Sequence, residues 1–470
     1  MAFWLSLIFC FLTFASSTPP DDPVKCKSGN TVCTVTNSYG AFPDRSICEA
    51  GKVEYPKTEA ELVSVVAAAI RAGQKMRVVT RYSHSIPKLV CTDGKDGILI
   101  STKLLNHVVR TDPEAKTLTV ESDVTLRQLI GEAAKLELAL PYAPYWWGLT
   151  VGGLMGTGAH GSSLWGKGSA VHDYVAEIRM VSPGSVSDGY VKVHVLSETM
   201  NPEEFNAAKV FLGVLGVISQ RSLTYVMRND SDFEDQAVTF GEKHEFADFL
   251  WLPSQGKVVY RMDDRVPVNT SGNGLFDFIP FRPQLFVALA IIRSLEESEE
   301  SSGNAIKKCA RAEQISSFLF SISYGLTNNG MIFTGYPVIG KQNRMMSSGT
   351  CLDSYRDGLV TSCPWDPRIK GQFFHQTTFS VPLASVKCFI SDIKELVKIE
   401  PKSLCVLERS NGILMRYVTS STAYLGKEEK ALDFDLTYYR SKEPLTPRLY
   451  EDFIEEIEQM VILKYNALPH

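Results

Sequence analysis

The clearest pattern lies in "EYPKTEAELVSVVAAAIRAGQKMRVV" (54–79), where Leu62, Val63, Val66, Ala69 and Ile70 recur at helical spacing and polar residues fill the rest. Pro56 and Thr58 mark a start and Gly73 a stop, so the spacing predicts a helix followed by a β-branched strand, Met76 to Val79. Further strands are expected at "GILIST", "HVVRT" and "TLTVES", then a helix capped by Thr125 and running to about Leu138. This alternation predicts an α/β domain from roughly 50 to 225. Beyond 230 the segments lengthen: "FHQTTFSVPL", "LCVLERSNGILMRYVTSSTAYLG" and "DFDLTYYRS" read as strands, and "TPRLYEDFIEEIEQMVILKYNALP" as a closing helix. A second, α+β domain over 230–470 is therefore expected.

The apolar run "FIPFRPQLFVALAIIRSLEE" is short and broken by Arg282, so it reads as a buried or surface helix and not as a membrane span. The opening "MAFWLSLIFCFLTFASSTPP" has about a dozen apolar residues before small ones at Ala15-Ser16-Ser17. It reads as a signal peptide over 1–17, which implies a secreted protein or one in the endomembrane lumen, with no further transmembrane span. Beyond it come Cys26, Cys33, Cys48, Cys91, Cys309, Cys351, Cys363, Cys388 and Cys405. "CKSGNTVC" and the Cys351/Cys363 pair look like local staples, and the odd number leaves a thiol over. Asn229-Asp230-Ser231 and Asn269-Thr270-Ser271 are acceptor sequons for glycosylation. The formal charge of -5 and the lack of any Lys/Arg block argue against nucleic-acid binding, and no His/Cys spacing suggests a metal site.

Candidate chemistry concentrates in "WWGLTVGGLMGTGAHGSSLWGKGSAVHD" (146–173). Glycines here let backbone N–H groups approach an anion, and Thr150, Thr157, Ser162 and Ser163 offer hydroxyls to phosphate oxygens. Gly156-Thr157-Gly158-Ala159-His160-Gly161 matches G-x-G-x-x-G, but the next residues, "SSLWGKG", make a poor helix. A pyrophosphate held between extended loops therefore fits better than a Rossmann site. A glycine-rich turn without a ligand is the plainer alternative.

Four motifs in order, "EYPKTEAELVSVVAAAIRAGQKMRVV…SHS", "LTVESDVTLRQLI", "TVGGLMGTGAHGSS" and "FLGVLGVIS", resemble the FAD-binding domain of the vanillyl-alcohol-oxidase (PCMH) type. "FADFLWLPSQGKVVYRMDD", "FHQTTFSVP", "VLERSNGILMRY" and "LTYYRS" resemble the cap of the sugar-1,4-lactone oxidases, among them the L-gulonolactone oxidases of plants. The resemblance implies an α+β fold: a two-part FAD-binding domain over 45–225, then a cap over 230–470. It implies oxidation of an aldonolactone at its C2 hydroxyl, with oxygen or another acceptor taking the electrons. It implies that His84 bonds covalently to the flavin, with Arg81, Ser83 and Ser85 beside it. It places Thr150, Gly152, Gly153, Gly156, Thr157, Gly158, His160, Gly161 and Ser162 in the second cofactor loop, and Val217 and Ile218 along the adenine or ribose end. Glu408 is expected on a strand facing the substrate, and Arg440 on its neighbour.

The chain also departs from that pattern. Relatives carry glycines where Arg81 and Tyr82 stand, and a His-Trp-x-Lys segment where this chain reads "NALPH", so the cap reads as C-terminally incomplete. After "GVLGVISQ" roughly ten residues are missing, which predicts unpaired sheet edges at the domain junction. Another flavin oxidase of the same fold, or an inactive secreted paralogue, are the alternative readings.

Overall fold

The computed structural model describes residues 22–469, apart from 38–45, 82–86, 211–215, 277–293, 322–325, 328–331, 334–336, 346–373, 409–411, 440–448 and a few single or paired positions. The expected apolar helix within "FIPFRPQLFVALAIIRSLEE" lies largely outside the described residues, as do Cys351 and Cys363.

The first part of the N-terminal half is a sheet of β1 (Val24–Ser28), β2 (Thr31–Val35), β3 (Cys48–Glu54), β4 (Met76–Val79) and β5 (Ile98–Ser101), in the order β1-β2-β3-β5-β4. β3, β5 and β4 run parallel, as the crossover through helix α1 (Glu59–Arg71) requires. Thr58 caps α1 by accepting from the Glu61 N–H, and Val66 and Ala69 pack with Ile98 and Ile100 on the sheet.

The second part carries β6 (Val108–Asp112), β7 (Thr117–Val120), α2 (Leu126–Lys135), β8 (Leu138–Ala139), α3 (Val151–Gly156), β9 (Glu177–Pro183), β10 (Val191–Ser197), α4 (Pro202–Ala208) and β11 (Gly216–Val217). α2 stops three residues before Leu138 because Glu137 turns into the left-handed region at φ 59, which frees Leu138 to pair with Val217. Among the described residues the strands here form three separate pairs, β6-β7, β8-β11 and β9-β10.

The cap begins at β12 (Gln220–Asn229), which pairs with β14 (Lys257–Val266) along its whole length. The strand that opens this sheet thus starts at Gln220, ahead of the segment expected to begin it. α5 (Phe233–Lys243) and β13 (Phe246–Leu252) lie between those strands. β15 (Gly274–Phe276), α6 (Ala305–Ser321), β16 (Leu326–Thr327), β17 (Ile332–Phe333) and β18 (Val338–Lys341) come after them. Next are β19 (Phe374–Pro382), α7 (Val386–Ile399), β20 (Ile413–Val418), β21 (Ala431–Tyr439), α8 (Glu451–Leu463) and β22 (Leu468–Pro469). The main sheet is eight-stranded, β18-β12-β14-β13-β20-β21-β19-β22.

Strand alternation gives this sheet two unlike faces. Phe249, Trp251, Met415, Tyr417, Phe434 and Leu436 point into one apolar core with Phe233 of α5, Phe389 and Ile393 of α7 and Ile457 of α8. The intervening residues, Asp248, Ser380, Asp433 and Asp435, are buried too, but they are polar. Among the described residues no helix is long and apolar enough to cross a membrane.

Candidate functional site

The buried polar face of the cap sheet meets the glycine-rich segment. Ser162 donates to the Ala247 carbonyl of β13 and accepts from the Tyr417 N–H of β20 at 2.8 Å. The Ser163 N–H and the Ser169 hydroxyl both donate to the Tyr417 carbonyl, at 3.1 and 3.2 Å. Gly168, at φ 89, lies so close to Thr419 that a Cβ there would come within 1.7 Å of its hydroxyl oxygen. Ser162 was expected on a phosphate; its hydroxyl is instead used up in fastening the segment to the cap.

His160 is likewise turned toward the cap. Its Nε2 stands 2.9 Å from Asp433 Oδ2 and its Nδ1 donates to the Gly161 carbonyl at 2.8 Å, so both ring nitrogens face protein partners and not an open cofactor surface. Ser380 donates to Asp433, and Arg416 pairs with Asp435 at 2.9 Å while donating to the His160 carbonyl at 3.3 Å. Lys427 is buried nearby, and desolvation lowers its pKa against the opposing pull of Asp433. This cluster of opposite charges on one buried sheet face is the main site feature that sequence reasoning missed. Its signal was the alternation in "LDFDLTY", where two aspartates interrupt an apolar strand.

Glu408 sits elsewhere. It ends a one-turn helix, Cys405–Glu408, and lies at the opposite end of β20 from Tyr417, about 15 Å or more along the strand. Its carboxylate accepts from the Ser254 N–H and from Gln255 Nε2 at 3.0 Å, and Ser316 of α6 donates to Gln255 Oε1 at 2.9 Å. The Cys309–Cys405 disulfide ties the same turn to α6. The expectation of a substrate-facing strand glutamate is therefore corrected: "CVLE" is helical and precedes the strand, and the arginine that reaches the glycine segment is Arg416.

Burial raises the Glu408 pKa to about 7. A carboxyl raised on folding stabilises fully below its unfolded pKa, and that contribution is lost as pH rises through 7. Wild-type stability is expected to fall by about 2 kcal/mol from this group between about pH 5 and about pH 8. Glu408→Gln is expected to flatten that slope in denaturant titrations at the two pH values, and an unchanged slope overturns the assignment.

On the flavin side, three stretches distant in sequence converge. Arg81, at the end of β4, donates from its backbone N–H to Asp123 Oδ1 at 3.2 Å and from Nε to Oδ2 at 2.9 Å. Thr102 donates to the same carboxylate at 3.4 Å. Asp123 is fully buried, and burial raises its pKa despite the facing guanidinium. Beside it, Thr150 caps α3, and a Cβ on Gly153 would stand 3.2 Å from Thr150 Oγ1 and 4.0 Å from Thr80.

This cradle of Thr80, Ser122, Thr150, Gly152 and Gly153 is closely packed, since a Cβ on Gly152 would stand 3.1 Å from Ser122 O and one on Gly153 3.2 Å from Thr150 Oγ1. The N–H groups of Val151, Gly152 and Gly153 are already given to Val124 O, Ser122 O and Thr150 Oγ1. They lock α3 in place and are not the phosphate donors expected of Thr150, Gly152 and Gly153. Gly156 and Thr157 form the exposed end of α3, where Thr157 donates to the Gly153 carbonyl at 2.9 Å. Gly158 comes next at φ 64, and the Gly161 N–H donates to Ser169 O. The G-x-G-x-x-G match thus lies after a short helix, not a strand. Val217 pairs through its backbone with Leu138 in β11. Ser83, His84, Ser85, Ile218 and Arg440 lie outside the described residues.

Residues 51–186 match the family model described as "FAD binding domain". The structure is similar to a solvent-stable cholesterol oxidase, with a TM-score of 0.67 and 14% identity over 96% of this chain and 88% of that one. Fold and site together define an FAD-dependent oxidoreductase of α+β architecture. In sequence, the chain is 86% identical to "Probable L-gulonolactone oxidase 1" of Arabidopsis thaliana, over 100% of this chain and 81% of the relative. It is 75% identical to "L-gulonolactone oxidase 2" of the same plant (99% and 80%) and 43% identical to "L-gulonolactone oxidase 3" (99% and 81%). The chain belongs to the L-gulonolactone oxidase family. The first of those alignments spans 482 positions against 470 residues here, so that relative carries residues with no counterpart in this chain.

Proposed function

We propose that this protein oxidises L-gulono-1,4-lactone, or a closely related aldono-1,4-lactone, at C2 to the 2-keto lactone that rearranges to ascorbate. When bound, FAD supplies the hydride acceptor, and oxygen or another acceptor later removes the electrons. The observation that carries the reading is the direct docking of the glycine segment onto a buried polar sheet face. A polyhydroxylated lactone needs donors and acceptors in fixed positions, and Arg416, Asp433, Asp435 and Ser380, bonded to one another on that face, hold such groups rigidly beside the glycine segment. Hydrogen peroxide release from the purified, flavin-loaded protein, compared between L-gulono-1,4-lactone and L-galactono-1,4-lactone, tests this reading. A protein with full flavin absorbance and no turnover of either lactone overturns it and favours the inactive paralogue.

Passage through an oxidising secretory compartment is part of the same proposal. Its supports are the apolar leader over 1–17, the disulfides Cys26–Cys33, Cys48–Cys91 and Cys309–Cys405, and the exposed positions of Asn229 and Asn269 in their sequons. Cys388 is the free, exposed thiol among the described residues. Glycosidase sensitivity of the protein secreted from plant cells checks it, and an unshifted band on electrophoresis counts against the sequons.

A further inference from the structure

A second polar cluster lies on the seam, away from Asp433. His172 and Asp173 belong to the 3-10 turn Val171–Tyr174, and Ser421 comes from the cap strand's continuation. Ser421 Oγ donates to Asp173 Oδ1 at 2.8 Å, accepts from the Ala423 N–H at 3.2 Å and lies 3.0 Å from His172 Nε2. With Asp173 ionised, the only hydroxyl proton goes to the carboxylate, so His172 Nε2 must be the donor to Ser421. The neutral ring then carries no proton on Nδ1. Burial, reinforced by His160 and Lys209, lowers the His172 pKa to about 4, which keeps the ring neutral.

Two acceptors are left over. His172 Nδ1 and Asp173 Oδ2 are both buried without a hydrogen-bond partner among the described residues, and the two side chains are only 5% and 9% exposed. Lys209 is buried beside them, held by Thr422 at 2.8 Å. Tyr174, on the same turn, donates to the Gly168 carbonyl at 2.8 Å, so the cluster is anchored to the glycine-rich segment itself. Buried acceptors are rarely left without a donor in folded proteins.

We propose that His172 Nδ1 and Asp173 Oδ2, two acceptors buried at the domain seam, are each met by a small hydroxyl or N–H donor, taken from buried water or from the bound flavin cofactor. A water suits either acceptor because it can donate there and still accept from another group. The cofactor suits it because the glycine segment adjoins it. The site depends on the flavoenzyme reading only for this second source.

A crystal structure of the flavin-loaded protein, together with the variants His172→Leu and His172→Gln, tests the inference. Density for a donor in hydrogen-bond contact with each of Nδ1 and Oδ2 is expected. If the donor is water, His172→Leu lowers the melting temperature and leaves the flavin-to-protein absorbance ratio unchanged. If it belongs to the cofactor, His172→Leu weakens FAD retention roughly tenfold, with part restored by His172→Gln, whose amide oxygen can replace Nδ1. The inference is overturned if neither atom has a water or cofactor donor in hydrogen-bond contact. It is also overturned if folded His172→Leu matches wild type in melting temperature and flavin content.

Discussion

Arg81→Ala is expected to lower folding stability by about 3 kcal/mol at neutral pH, because it strips a fully buried carboxylate of its charged partner. Asp123 has no exposed surface, and Arg81 supplies it with a backbone N–H, a guanidinium N–H and a positive charge. Alanine keeps the first and deletes the other two. The size of the loss depends on pH in a definite direction. Burial already raises the Asp123 pKa, and the guanidinium opposes that rise. Without Arg81 the pKa climbs further, so the carboxyl takes up a proton more readily in mild acid and the charge penalty shrinks there. Denaturant titrations of wild type and Arg81→Ala are expected to converge on acidification and diverge toward alkaline pH. A difference that stays constant across that range shows that the pair acts through packing alone.

The same pair explains how a departure from the family pattern is accommodated. Glycines were the residues expected at the entrance to this loop, where they would free the backbone to approach a phosphate. Here an arginine stands in that position, and an ion pair to Asp123 holds the loop entrance. Nothing in "RYSHS" predicts that partner, because Asp123 lies forty-two residues on and faces Arg81 only after β4, β5 and the Ser122–Val124 stretch are assembled. Local elements were legible for the opposite reason. The apolar stripe of α1, its Thr58 cap and the strand Met76–Val79 each arise from contacts within a few residues, and all three are present.

Where the site differs from its sequence pattern, one physical cause recurs. Glycines and hydroxyls in 150–162 look like donors awaiting an anion, but residue type does not say whether a donor is already used. Val124 O and Ser122 O take the α3 amides, and Tyr417 and Ala247 take Ser162. Between Glu408 and Arg416 the difference is one of register. "CVLERSNGILMRYV" contains three charged positions, Glu408, Arg409 and Arg416, and only the helical turn before Gly412 reveals that the strand starts after it. Asp433 and Asp435 were visible as period-two interruptions, yet aspartates on a strand usually mark a solvated face. What makes them a site is the second layer covering them, and that layer is more than two hundred residues away in sequence.

His84→Ala is expected to move the flavin completely from the acid-precipitated pellet to the supernatant, while wild type keeps it in the pellet. The reason is a kind of bond that the rest of the site does not supply. Hydrogen bonds and ion pairs to a cofactor break when acid unfolds the chain, whereas a bond from an imidazole nitrogen to the flavin ring survives. The family resemblance singles out His84 for that bond, whereas His160 and His172 are buried in the seam with protein partners and His107, His194 and His244 each face a carboxylate. His84 stands three residues after Arg81, which is itself held on Asp123 and follows directly on Thr80. Total flavin in native His84→Ala is expected to fall less than the covalent fraction does, since the cradle remains. Arg81→Ala separates the two contributions: loosening the loop entrance should reduce covalent attachment in proportion to lost stability without abolishing it. Free flavin in the wild-type supernatant, from protein that was fully yellow before acid, overturns the covalent assignment and leaves the cradle as the whole of the cofactor's hold.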